Sequence, residues 1–176
     1  MDEQAGRILI FAGKGKGCTT AALGSALRAV GHGMKTLVIQ FVKHRRCGEH
    51  EAAKRLAPEL EIRLMGSGFL HPEDSESMEE ARRSAGEALE TARRVLRQGE
   101  HDMVILDEVL FAISSGLISA EEVLQAIEAR EPRVHVILTG HSVPPKLAEL
   151  ADTVTEFSCV KHAFHQGTKA TRGLEF

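Results

Sequence analysis

Neither tryptophan nor tyrosine occurs in the 176 residues, so any aromatic stacking rests on seven phenylalanines and nine histidines. Cysteine is scarce too. Three of them, odd in number and widely spaced, build no disulfide framework and fit a reducing cytosol. An excess of one charge is missing. The formal net charge is −3, so there is no basic field of the kind that holds nucleic acid, and nucleic acid is not an expected partner. Long apolar runs are missing as well: none approaches the ~20 residues that a bilayer-crossing helix needs. The start, MDEQAGRILIF, lacks the basic and then apolar stretches of a secretory signal. No membrane partner is expected, and the expected location is cytoplasmic. What is present, 43% hydrophobic and 27% charged residues, is ordinary globular composition at the length of a single domain, 1–176.

Short apolar runs alternate with amphipathic stretches along the chain. Arg7–Ala12, Thr36–Phe41, Glu61–Met65, Met103–Asp107, Val134–Thr139 and Thr153–Phe157 read as strands. Helices are expected at Thr19–Val30, Glu49–Leu56, Ser75–Arg97, Ala120–Ala129 and from Pro144 to Leu150. In the long one, Ala81, Ala85, Leu89, Ala92, Val95 and Leu96 recur near helical spacing and predict a buried stripe. Apolar strands separated by helices point to a mostly parallel central sheet covered on both faces. Residues 159–176 are polar, without period. They read either as a disordered tail or as a segment that orders around a ligand.

Chemistry is concentrated after the first strand. Gly13-Lys14-Gly15-Lys16-Gly17-Cys18-Thr19-Thr20 sits between a strand and a helix, which is the context a phosphate-binding loop requires. Glycines let the backbone curl and present N–H groups, and the following helix adds its positive end. Thr19 can offer a hydroxyl to Mg²⁺. Two positions depart from G-x-x-x-x-G-K-[ST]. The first glycine falls at Gly13 rather than at position 12, and the lysine position holds Cys18. A neutral thiol cannot replace an ammonium, and the loss of one charge-assisted contact costs about 1.5–3 kcal/mol. Lys14 and Lys16 could compensate by bending inward; otherwise they are solvated loop lysines. A second signal is Asp107-Glu108, at the end of the MVIL strand, where carboxylates can hold Mg²⁺ directly or through water. The bland alternative is that Asp107 caps a helix.

In the order of its motifs, the chain resembles the P-loop type of ATP:cob(I)alamin (corrinoid) adenosyltransferase from Arg7 to Phe176. The resemblance is carried by GKGKGCTTAALGSALRAVGHGMK (13–35), VIQFVK (38–43), Gly68-Phe69, VILDE (104–108), GLI (116–118), EEVL (121–124), HVILTG (135–140), LADTVTE (150–156) and VKHAFHQGTKATRGLEF (160–176). It implies a P-loop NTPase-like, three-layer α/β fold, a homodimer, and MgATP and a cobalamin or related corrinoid as ligands. It also implies attack of Co(I) on the 5′ carbon of ATP, with release of triphosphate. By the same resemblance Gly13 to Thr20 cradle the triphosphate and Thr19 with Glu108 bind Mg²⁺. Phe69 approaches the corrin face, His71, His141, Lys161 and His162 contact ligand, and 159–176 closes over the site.

The departures from the family pattern cluster at presumed ligand positions. Cys18 stands for lysine, His71 for tryptophan, His141 for arginine, His165 for aspartate and Thr171 for glutamine. Two readings follow. One is an adenosyltransferase with a tolerant loop. The other is a repurposed paralogue that binds a corrinoid, another tetrapyrrole or a nucleotide as a carrier or regulator. The substituted cysteine and histidines, with His44 and Cys47, have metal- or haem-ligand chemistry, but none shows the close spacing of a dedicated site. His32, His50, His101, His135 and His162 read as helix-end, surface or strand residues.

Overall fold

Alternate residues of a strand face opposite ways, and every central strand here is apolar on both faces, so it needs helices above and below. The computed structural model describes residues 5–68 and 70–176. Its strands are β1 (Ile8–Ala12), β2 (Thr36–Gln40), β3 (Leu60–Leu64), β4 (Met103–Asp107), β5 (His135–Gly140) and β6 (Thr153–Glu156). Its helices are α1 (Cys18–Val30), α2 (Gly48–Arg55), α3 (Ser75–Gln98), α4 (Val109–Ser114), α5 (Ala120–Glu128) and α6 (Pro145–Leu150), followed by a 3₁₀ turn at Ala163–Gln166. The sheet order is β3-β2-β4-β5-β1-β6. Each pairing is parallel, so the described sheet is wholly rather than mostly parallel.

On one face Ile10, Leu37, Ile39, Val104, Leu106, Val136 and Leu138 meet the alanines of α3 together with α4, α5 and α6. On the other, Val38, Ile105 and Ile137 meet Ala22 and Ala26 of α1 and Ala53 of α2. Full burial of each large aliphatic side chain contributes about 1.5–3 kcal/mol. The stripe expected on α3 is buried throughout, joined by Ala88. Small residues there let a long helix lie close on the sheet. Asp74 begins this helix by accepting from the N–H groups of Glu76 and Ser77, and Gly99 ends it in the left-handed conformation. Ser119 and Glu122 form a capping box on α5.

Expected strands and helices lie within one or two residues of those observed, with two additions. The apolar stretch 109–114 folds as α4, because a short apolar run does not by its spacing distinguish strand from helix. The 3₁₀ turn falls in the polar terminal segment. Parallel connection places the ends of β1, β2, β4 and β5 at one edge of the sheet, the edge where such sheets bind ligands. No helix among the described residues is long and apolar enough to cross a membrane.

Candidate functional site

The loop between β1 and α1 is shaped by glycine. Gly13 has φ 153, and a side chain there would meet the Phe157 carbonyl oxygen at 2.2 Å. Gly17, at φ 138, turns the chain into α1 and accepts the first helical bond from Ala21 N–H at 2.8 Å. Gly13 N–H donates to the Gly140 carbonyl at 3.0 Å, which ties the loop to the end of β5. The first N–H groups of α1 have no partner within the helix and carry its positive end. They open on a cavity of about 390 Å³ lined by Gly13, Gly15 through Thr20, Lys43, Glu49, Glu108, His141, His162 and the C-terminal Gly173–Phe176.

Beneath the loop lies a polar network inside the apolar sheet. The Thr19 hydroxyl donates to Asp107 Oδ1 at 2.8 Å, and so does the Thr139 hydroxyl. Thr139 in turn accepts from the Glu108 N–H at 2.8 Å. Gln40 Nε2 donates to Asp107 Oδ2 at 3.1 Å, and His50 Nε2 meets Gln40 Oε1 at 2.9 Å. Cys47 N–H donates to His50 Nδ1, which leaves Nε2 as the ring's donor to Gln40. Asp107, Gln40, His50 and Thr139 are all buried, and each polar group is matched, as burial in low dielectric demands. Asp107 therefore holds together the loop, β2 and β5 rather than capping a helix. His50, expected at a helix end, is a buried member of this network.

Glu108 follows in a conformation rare for a side-chain-bearing residue. It is the one non-glycine residue among those described with positive φ, at 62. A left-handed residue costs about 1–2 kcal/mol, and such strain is held where a side chain must be aimed. Here it turns the carboxyl into the cavity. Burial, then the neighbouring Asp107 charge, pushes Glu108 up to about 7, partly offset by Lys43. Thr19, Asp107 and Glu108 bring one hydroxyl and two carboxylates to one place. These are hard oxygen donors of the kind Mg²⁺ takes, and a divalent cation opposes the burial and the Asp107 repulsion that hold Glu108 high.

The remaining sequence candidates are distributed as follows. Cys18 is buried at the start of α1, its thiol 3.9 Å from the Gly13 carbonyl. Burial and the Glu108 charge push the thiol up, so the position is neutral. Lys16 turns to the chain terminus, donating to the Leu174 carbonyl and lying 3.4 Å from Glu175 Oε1. The segment read as tail or closing loop thus ends against the phosphate loop. Lys14 lines a second, adjoining cavity of about 900 Å³ with Phe157, Cys159 and His165. His141 and His162 border both cavities, and His141 packs edge-on against Phe111 with ring centroids 5.1 Å apart. His71 is exposed, 3.5 Å from Glu73, and with exposed Lys161 it lines neither cavity. Phe69 lies outside the described residues. The substituted His141 and His165 share the second cavity, but among the described residues no three His, Cys, Asp or Glu side chains form a metal-ligand group.

Sequence reading missed Gln40, Thr139, Lys43 and Glu49. The available signal was a polar residue closing an otherwise apolar strand, as in TLVIQ and HVILTG.

Known proteins resemble this chain along nearly its whole length. It is 38% identical over 175 residues to a corrinoid adenosyltransferase of Pseudomonas aeruginosa, covering 99% of this chain and 85% of that one. It is 40% identical over 177 residues to that of Escherichia coli strain K12, covering 99% and 87%. Among solved structures, the KaiC-like protein PH0186 of Pyrococcus horikoshii superposes with a TM-score of 0.49 at 15% identity, over 86% of this chain and 73% of that one. The family model described as ATP:corrinoid adenosyltransferase BtuR/CobO/CobP matches residues 4–176, the span that holds the loop, the Asp107-Glu108 pair and the terminal segment against them. The chain belongs to that family.

Proposed function

We propose that this protein transfers the 5′-deoxyadenosyl group of ATP to the cobalt of a reduced corrinoid and releases triphosphate. The observation that carries the reading is the cavity lined by Gly13, by Gly15 through Thr20 and by Glu108, in a chain matched to the family along almost its whole length. No observation favours the carrier or regulator reading. In the transfer, Co(I) supplies an electron pair to C5′, the Co–C bond forms, and the C5′–O bond breaks with its pair leaving on triphosphate.

Charge therefore grows on the leaving polyphosphate. In this reading the loop amides and the positive end of α1 stabilise that charge, and groups fixed by the fold need little reorganisation to do so. Thr19 and Glu108, with Asp107 behind them, would hold the Mg²⁺ that accompanies the nucleotide. Asp107 keeps the Thr19 hydroxyl in place. His141 and His162, at the junction of the two cavities, contact ligand in this reading, which also gives Phe69, outside the described residues, a role toward the acceptor. The closing terminal segment, a homodimer and a cytoplasmic location belong to the same reading.

The test is adenosylation of chemically reduced cobalamin under anaerobic conditions, followed by the visible spectrum of the Co–C bond. Wild-type protein with MgATP is expected to form the alkyl product, and Glu108→Ala to do so at least about 100-fold more slowly. A wild-type protein that binds MgATP yet forms no Co–C bond refutes the assignment.

A further inference from the structure

The phosphate cavity has a charge problem. Its lining offers two ammonium groups, Lys16 and Lys43, against the carboxyls of Glu49, Glu108 and Glu175. Cys18 has no cationic form, and burial, which pushes its thiol up, keeps it from adding a negative charge. Lys16 is committed to the terminus through the Leu174 carbonyl and Glu175. A polyphosphate entering this space needs a cation from another wall.

Lys43 stands on that wall. Gln40 is paired in register with Asp107, and Phe41 N–H donates to the Asp107 carbonyl at 3.0 Å, so the chain leaving β2 runs beside Asp107-Glu108. Lys43 follows three residues after Gln40 and lies half-buried in the cavity lining. Its ammonium donates to Glu49 Oε1 at 2.5 Å, from the first turn of α2. The same ammonium lies in the field of Asp107, while Glu108 feels its charge in return. Among the described residues Glu49 is the one salt-bridge partner of this ammonium, and it can exchange for phosphate.

We propose that Lys43 is the phosphate-binding cation of this chain, supplying from the end of β2 the charge that the loop lost at Cys18, with Glu49 as its resting partner. The inference rests on the reading of this cavity as a polyphosphate site. Its ligand class is the polyphosphate of a nucleoside triphosphate.

The probe is inorganic tripolyphosphate with Mg²⁺, titrated calorimetrically into wild type, Lys43→Met, Cys18→Lys and the double variant. Thermal melting confirms that each is folded. Lys43→Met is expected to weaken binding about 10–100-fold in the natural background. Cys18→Lys is expected to tighten it. In the Cys18→Lys background, loss of Lys43 is expected to cost less than about 3-fold, since one ammonium then replaces the other. Equal losses in both backgrounds, or no loss in either, overturn the proposal. Glu49→Gln frees the ammonium and is expected to tighten binding severalfold; weaker binding in that variant also overturns it. A wild-type protein that binds tripolyphosphate but forms no Co–C bond refutes the transferase reading and leaves this inference standing. A wild-type protein that binds none refutes both.

Discussion

At the scale of single residues the site is defined by what two neighbours do differently. Asp107 is saturated by hydrogen bonds from Thr19, Thr139 and Gln40 and serves as a fixed anchor. Glu108 stands next to it in a strained conformation, with no such donor to its carboxyl among the described residues and its proton held to about 7 against an ordinary 4.5. The folded protein therefore binds that proton more tightly than the unfolded chain does. The resulting stability is complete below the ordinary value and is lost as pH rises through about 7. Glu108→Gln removes the ionisation and keeps the shape. In metal-free buffer the variant is expected to melt close to wild type at pH 5 and higher at pH 8.5. A tenfold difference in proton affinity corresponds to about 1.4 kcal/mol, which sets a ceiling of about 3 kcal/mol and an increase of several degrees. Equal melting differences at the two pH values would show that Glu108 ionises freely. Cys18 and Lys43 form a second contrast, in which the charge expected of one residue is found on another element.

The elements explain why some of this was legible in the sequence. β1, the glycine loop and α1 are contiguous, and their order announces a phosphate loop before any fold is known. α3 was equally readable, since its alanines recur at helical spacing and all face the sheet. That close approach has a consequence. Ala85 is fully buried, so Ala85→Leu forces extra volume between helix and sheet and is expected to destabilise by about 1–3 kcal/mol. In a chain of this length the melting temperature falls by roughly 3–10 °C, measured by circular dichroism. An unchanged melting point would mean that α3 does not lie on the sheet as described. The network beneath the loop was not legible. Gln40 and Asp107 are 67 residues apart and meet through strand register, and Thr19 reaches Asp107 across 88. A continuous apolar run records that a strand is buried, not which strand lies beside it. α4 was missed because five apolar residues in a row carry no decisive spacing.

For the whole molecule, parallel winding brings four strand ends to one edge, and the terminal segment returns to the same edge through Lys16 and Phe176. Composition leaves that segment open as a tail or a closing loop, and the family resemblance favours the closing loop; in the structure its end lies against the phosphate loop. Nor does the sequence foretell that both lysines of the cavity are matched by carboxylates, Lys16 by Glu175 near the terminus and Lys43 by Glu49 six residues on, because such pairing depends on side-chain direction in three dimensions. The fold is thus kept, while the loop itself presents no lysine at position 18. The central claim is that main-chain amides of the Gly13–Thr20 turn still hold a polyphosphate although the loop lacks its lysine. The direct measurement is a crystal structure with Mg²⁺ and ATP. The account predicts triphosphate oxygens within hydrogen-bond distance of those amides, beside Thr19 and Glu108, with C5′ directed out of the loop. Density for the nucleotide elsewhere, with the turn folded in on itself, would contradict it.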